Sequence, residues 1–317
     1  MGTLKHIGWR LVNILPVLLI VSVLTFLIGR LTPGDPIQGQ YARTFSPEQI
    51  EGIRDAYGLN LPLWQQYVKW IGDLFVAGGG RSIVQEAPVF DILWPNFLNT
   101  LVLTAAGVLI CAVVGIAIGT VAGAHHRRFA DRFSMLFVQV GSNLSVYWFG
   151  LILIWIFALQ LKWLPVSGMQ SRGGGGFGDL LAHLILPGIS AALISMLVLA
   201  RFVRIGIVQE KQSDYYKTFA SQGAGGLSLL GKHVGRNILP PVVNIIGLEI
   251  GTLITGVLFV ESVFNWPGIG TQLLNAVNGK DYPLIQGGVV LIALCYLVVN
   301  LVTDVAVDAL NPRLRRR

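Results

Sequence analysis

The chain has 317 residues, 53% hydrophobic and 12% charged, with 23 Lys and Arg against 16 Asp and Glu for a net charge of +7. A soluble domain carries roughly twice that charged fraction, and the mean hydropathy is +0.66, so the chain does not read as a soluble, core-rich enzyme. Nor does it read as a nucleic-acid binder, because its positive charge lies in short loops between apolar runs rather than on one basic face.

Six apolar runs reach the ~20 residues that a bilayer span requires: Trp9–Gly29, Leu98–Ala124, Met135–Leu161, Leu184–Val208, Ile238–Val260 and Leu284–Val307. The first follows Lys5, is longer than a signal-peptide core and has no small-x-small cleavage site before Arg30, so it is predicted as a retained helix. Between it and the second run lies a long polar segment. Ser46-Pro47-Glu48-Gln49 there has the form of a helix N-cap with Pro at the first helical position. Leu63, Tyr67, Trp70, Ile71 and Leu74 then recur at helical spacing, which predicts a partly helical cap on the membrane surface. In the second run Gly115, Gly119 and Gly123 recur every fourth residue as a small-residue packing face. Gly173–Gly176 is a flexible loop. The two cysteines, Cys111 and Cys295, lie in mid-run without a Cys or His partner at metal-ligand spacing, and are predicted as small buried hydrophobes.

Orientation follows from the short loops. His125 to Arg132, then Arg201, Arg204, Lys211, Lys217, Lys232 and Arg236, and finally Arg313 to Arg317 fall on the same side as the N-terminus in a six-span arrangement. That side is predicted to be cytoplasmic, with both termini inside. The opposite side carries Asp35, Glu48, Glu51, Asp55, Asp73, Glu86, Asp91 and Asp179.

Catalytic and nucleotide motifs are weak. Gly226 to Lys232 approaches a phosphate-binding loop, but His233 stands where Ser or Thr would ligate Mg²⁺, and no strand precedes it. Ser167-Gly168 and His183 lack the glycine that precedes an intramembrane serine nucleophile. Ionisable residues in spans are costly and usually face a bundle interior. Asn244, Glu249 and Glu261 are therefore candidates for a translocation path; an interhelical hydrogen bond is the alternative for Glu249. Asp304, one turn after Asn300, reads as structural. Asn265-Trp266-Pro267-Gly268 is either a docking element or outer gate, or a tight turn anchored by an interfacial Trp.

The segment from Asp214 to Pro241 is the long polar, basic interruption of the C-terminal half. Tyr215 to Gln222 is free of Gly and Pro and predicts a two-turn helix; Gly223, Gly225 and Gly226 break it; Leu227, Leu230, Val234 and Ile238 return at helical spacing. The short helix is expected to present Tyr215, Tyr216, Thr218 and Phe219 to a partner.

This order resembles the EAA loop of ABC-transporter permease subunits, with Thr218-Phe219-Ala220-Ser221-Gln222-Gly223 and then Arg236-Asn237-Ile238-Leu239-Pro240 before the next span. The Glu-Ala-Ala core itself is not kept. Thr32-Pro33-Gly34-Asp35-Pro36, Tyr57-Gly58-Leu59, Glu261 to Gly270, Asp281-Tyr282-Pro283 and Asn311-Pro312-Arg313 resemble the first permease of dipeptide, oligopeptide and nickel importers. Gly72 to Ser82 departs from that family in a lengthened cap hairpin.

The resemblance implies an all-α polytopic protein of the prokaryotic cytoplasmic membrane: six transmembrane helices, N-in and C-in, in a type I ABC importer permease-like bundle with an extracytoplasmic cap segment. Residues 1–30 would be the cytoplasmic N-terminus and first helix, 31–97 the cap, 98–308 a five-helix core with a coupling loop at 209–237, and 309–317 a basic tail. It implies no catalysis and no bound cofactor on this chain, with ATP and Mg on two ATPase subunits or one fused ATPase. A second permease, an extracytoplasmic substrate-binding protein and membrane lipid are the further partners; nucleic acid is not. Tyr215, Thr218, Phe219, Ala220, Gln222, Gly223 and Ala224 would couple to the ATPase. The implied cargo is di- or oligopeptides, with nickel chelates, glutathione or haem as alternatives. A self-sufficient channel or secondary transporter would call for internal repeats and charged or broken mid-span helices, and no clear repeat is present.

Overall fold

A computed structural model describes residues 2–31, 37, 46–76, 78–171, 173–222, 231 and 234–310, with side chains from residue 14 onward except at 220, 304 and 306–310. Thr32 to Pro36, Gly223, Ala224, the remaining loop to His233 apart from Gly231, and Asn311 to Arg313 lie outside the described residues, as do the side chains of Ala220 and Asp304.

The regular structure among the described residues is helical, with a lone antiparallel bridge between Arg81 and Pro88. Helices α1 (Gly2–Leu31), α2 (Pro47–Ala56), α3 (Leu63–Val76) and α4 (Val89–Ala124) are followed by α5 (Phe129–Gly141) and α6 (Val146–Leu153), the last continuing as a π-helix over Ile154–Gln160. Then come α7 (Phe177–Gln212), α8 (Asp214–Ser221), α9 (Gly235–Phe264), α10 (Ile269–Asn278) and α11 (Tyr282–Leu310). Among the described residues, five stretches are long and apolar enough to cross a membrane: Ile14–Leu31, Val89–Ala124, Phe177–Gln212, Gly235–Phe264 and Tyr282–Thr303.

The third expected span, a straight Met135–Leu161, is instead broken. α5 and the Val146–Gln160 stretch meet at a bend of 108°, and counting this pair as one span gives six. The break falls at Ser142-Asn143-Leu144-Ser145. Ser142 Oγ donates to the Val138 carbonyl at 2.7 Å and Asn143 Nδ2 to the Gln139 carbonyl at 2.7 Å, so short polar side chains satisfy carbonyls that the next turn would have used.

The chain forms two compact units. The first comprises Met1–Thr100 and Pro267–Val298. The helix start at Ser46 stands as the sequence predicts, with Ser46 as N-cap and Pro47 at the first position, and the structure adds a reciprocal capping box between Ser46 and Gln49. On α3, Tyr67 and Trp70 turn toward Phe26 of α1, with ring centroids 5.4 and 6.2 Å away. The lengthened stretch is a tight hairpin. Gly78, Gly79 and Gly80 have φ of 64°, 86° and 81°, a run of left-handed backbone that side chains disfavour. Val89 N then donates to Gly80 O at 3.0 Å and Phe90 N to Gly78 O at 2.9 Å. Asp281 is fully buried; it accepts from Ser82 Oγ and from the amides of Ile83 and Val84, both at 3.2 Å. The Asp281-Tyr282-Pro283 motif thus starts a helix and also holds the cap hairpin.

The second unit comprises Leu101–Trp266 and Val299–Arg317. Gly115, Gly119 and Gly123 of α4 lie against Met196, Ala200, Val203 and Ile207 of α7 so closely that no Cβ fits between them. That contact belongs to a core of Cys111, Leu193, Leu197, Val203, Ile207, Val242 and Leu253. A second cluster gathers Leu103, Leu153, Leu186, Val257, Phe264 and Trp266.

Candidate functional site

The segment that the sequence predicts as a coupling loop is where sequence and structure meet most directly. Helix α7 ends at Ser213, whose extended backbone (φ −67°, ψ 151°) breaks the helix without a glycine. α8 starts at once, supported by Thr218 Oγ1 donating to Asp214 O at 2.9 Å and by a Lys217–Asp214 pair at 3.1 Å. Such exposed local contacts stabilise little in isolation, and eight residues are too few for a free helix to persist in water. Tertiary contacts therefore hold α8.

Two of them are visible. Tyr216 packs on the core that contains Val203, Ile207 and Val234. Tyr215 donates its hydroxyl to a carboxylate oxygen of Glu210 at the end of α7, and Asn237 Nδ2 at the start of α9 donates to the Tyr215 hydroxyl at 3.0 Å and to Glu210 Oε2 at 3.3 Å. Three helices are thereby tied at one point. Burial pushes the Tyr215 phenol above its usual range and the neighbouring Glu210 carboxylate adds to this, which keeps the donor protonated.

The structure divides the predicted coupling residues. Tyr215 and Tyr216 are half-buried and turned inward, whereas Thr218, Phe219 and Gln222 are exposed. The outward face of α8 is consequently Lys217, Thr218, Phe219, Ser221 and Gln222.

Two further braces stand in the same unit. Asp131 of α5 holds Arg204 of α7 in a two-point pair, with Nε–Oδ1 at 2.6 Å and Nη2–Oδ2 at 2.9 Å; its second oxygen also accepts from the Arg127 amide at 2.9 Å, and His126 Nδ1 lies 3.2 Å away. Lys211 donates to the Ala124 carbonyl at 2.7 Å, which caps the C-terminal end of α4 with a cation. The sequence counted Arg204, Lys211 and His126 only as positive-inside charge and Asn237 only as part of the Arg236–Pro240 motif, and Glu210 and Asp131 were passed over. The one available signal was a single acid inside the basic His125–Arg132 run.

The path candidates are separated along α9. Asn244 is exposed, Glu249 half-buried and Glu261 fully buried. The Asn265 turn is well defined: Asn265 ends α9 in the left-handed region (φ 46°, ψ 41°), and Trp266 N reaches back to Glu261 O at 2.9 Å. Trp266 is fully buried, packed with Val260 and Phe264, while Asn265 and Pro267 are exposed and Gly268 is buried. The Trp side chain itself is therefore a packing anchor of the second unit.

The family described as binding-protein-dependent transport system inner membrane component matches residues 115–316, and its N-terminal component matches residues 3–104. The chain belongs to this family. The permease is 32% identical to the dipeptide transport system permease DppB of Alkalihalophilus pseudofirmus, over 96% of this chain and 98% of the relative. It is 33% identical to the di/tripeptide permease DppB of Pseudomonas aeruginosa over 99% of each. It is 35% identical to the glutathione permease GsiC of Escherichia coli K12, over 98% and 99%. Among solved structures, a chain of the MetNI methionine ABC transporter superposes with TM-score 0.55 at 14% identity, covering 71% of the permease and 98% of that chain, which supports a shared fold. The permease is thus an all-α, multi-pass protein of the cytoplasmic membrane with a type I importer fold. As a membrane component of a binding-protein-dependent system it is one part of a larger transporter.

Proposed function

We propose that the permease forms half of the translocation path of an ATP-driven importer for di- and oligopeptides, alongside a second permease. The observation that carries this reading is near full-length similarity to permeases named for dipeptides and di/tripeptides. Similarity to a glutathione permease points to the same chemistry, since glutathione is itself a small peptide.

An extracytoplasmic binding protein delivers the cargo, and two ATPase subunits or one fused ATPase act on the cytoplasmic side, holding ATP and Mg. The exposed face of α8, with Thr218, Phe219 and Gln222, is the part that an ATPase cleft grips; Ala220, Gly223 and Ala224 complete that segment. Rigid-body displacement of α8 is passed to the spans because Tyr215 ties it to Glu210 and Asn237 on both flanking helices. Asn244 and Glu249 are offered to the path, whereas Glu261 has no exposed surface within this chain. Residues 31–97 serve as the extracytoplasmic cap, 98–308 as the core and 309–317 as the tail. The exposed Asn265 and Pro267 remain available to a binding protein.

Phe219→Glu tests the docking face. A charge on this exposed side chain leaves the permease folded and in the membrane, and it removes stimulation of ATP hydrolysis by the loaded binding protein. Normal stimulation in that variant would sink the assignment of α8.

A further inference from the structure

A cavity of about 510 Å³ lies within the first unit, walled by α1, α3, the cap hairpin and the first turns of α11. Among the described residues its charged lining is Arg30, Lys69, Arg81 and a single acid, Asp73. Arg30 is steadied over the Phe26 ring at 5.4 Å, and Lys69 also donates to the Ala56 carbonyl at 3.2 Å.

The inner wall is more telling. Gln66, Trp70 and Gln286 also line the cavity and are only 7%, 8% and 4% exposed. Gln66 Oε1, Trp70 Nε1, Gln286 Nε2 and Arg30 Nε are buried without a hydrogen-bond partner. Gln66 cannot be relieved by turning its amide, because Nε2 is already committed to the carbonyls of Leu59 and Leu61 at 3.0 and 2.6 Å. Buried polar groups left unpaired are rare and costly. Four converging on one cationic cavity describe a site for a ligand: three donors ask for an anionic acceptor, and Gln66 Oε1 asks for a hydroxyl.

The position of the cavity narrows the class. Arg30 closes the span Ile14–Leu31, and Tyr282 and Gln286 open the span Tyr282–Thr303. The cavity therefore sits where the apolar stretch of two helices ends, which is the depth of lipid headgroups. On α1, Leu24, Ile28 and Leu31 follow helical spacing and are 53%, 64% and 79% exposed, an apolar lane on the helix that carries Arg30. We propose that the cavity binds the phosphate of a polyol-bearing anion, the chemistry of an acidic glycerophospholipid headgroup such as phosphatidylglycerol. The positive-inside orientation places it in the extracytoplasmic leaflet.

Full-length permease in nanodiscs of phosphatidylglycerol or of phosphatidylcholine, delipidated stepwise and followed by native mass spectrometry, tests this. Preferential retention of one phosphatidylglycerol is expected, weakened about tenfold or more in Lys69→Gln/Arg81→Gln, since two charge-assisted contacts are lost. Both side chains are solvent-exposed, so this variant folds. Gln286→Leu, inside the cavity, is the second variant and should weaken retention without altering the membrane yield. Equal retention of both lipids, or unchanged retention in both variants, overturns the proposal. A free source is separated by adding glycerol 3-phosphate to phosphatidylcholine nanodiscs: thermal stabilisation equal to that from phosphatidylglycerol would overturn the lipid as the source.

Discussion

Gly119→Ala adds one methyl group at the closest point between α4 and α7. The new Cβ would lie 2.5 Å from the Ala200 carbonyl oxygen and 2.6 Å from Val203 Cβ, where ordinary contact begins at 3.4 Å. The first obstacle is backbone, so no rotamer change relieves it, and the helices must separate by about 1 Å. A gap of that size forfeits roughly a quarter to a half of each affected dispersion contact, and Gly115 and Gly123 share the same seam. Overpacking of this kind costs about 1–3 kcal/mol. Replacing a mid-helix Gly by Ala returns about 1 kcal/mol through backbone entropy, so the net loss is about 0–2 kcal/mol. Gly72→Ala on α3 supplies the control, because nothing lies within 4 Å of its Cβ; only the propensity gain applies there. Thermal unfolding of the purified permease should place Gly119→Ala below wild type by up to roughly 8 °C, at ~2–4 °C per kcal/mol, and Gly72→Ala at or above it. Equal midpoints for the two variants would refute the close seam.

Tyr215→Phe removes a hydroxyl that is both donor to Glu210 and acceptor from Asn237. A loss of about 1–2 kcal/mol should speed amide exchange over residues 214–221 by roughly tenfold while the spans stay protected; unchanged exchange means that α8 is held by something else. Asp131→Asn should cost about 2–3 kcal/mol, discounted because Arg204 is 22% exposed. Thermal midpoints of the full double-mutant cycle read this out: Asp131→Asn/Arg204→Met should recover part of the loss, and strict additivity would show that the pair does not interact.

Composition and periodicity made much of this architecture legible. The N-cap at Ser46 with Pro47 after it and the glycine seam of α4 are local or single-face patterns, and both stand in the structure as read. The break in the third span was missed because windowed hydropathy averages over Ser142 to Ser145, whereas helix continuity depends on individual side chains that compete for backbone carbonyls. Span starts were placed late for a related reason. Pro95 lies inside α4 and Pro187 inside α7, and Asn96 Nδ2 takes the Ile92 carbonyl at 2.7 Å, so polar residues and prolines continue helices that an apolar count ends. Trp266 had two open readings, and its complete burial makes its side chain part of the core.

By itself, then, the amino-acid sequence determined the fold class, the apolar stretches, their basic flank and the location of the short helix α8. Each of these is set by transfer free energy and short-range periodicity, which are properties of consecutive residues. Only the tertiary structure decided which side of α8 faces outward, that Asp131 meets Arg204 across 73 positions, and that Arg30, Gln66, Trp70 and Gln286 surround one cavity. Those facts arise from the register between distant helices. Charge pairing and hydrogen bonding act over a few ångströms of space, and separation along the chain carries no information about that distance.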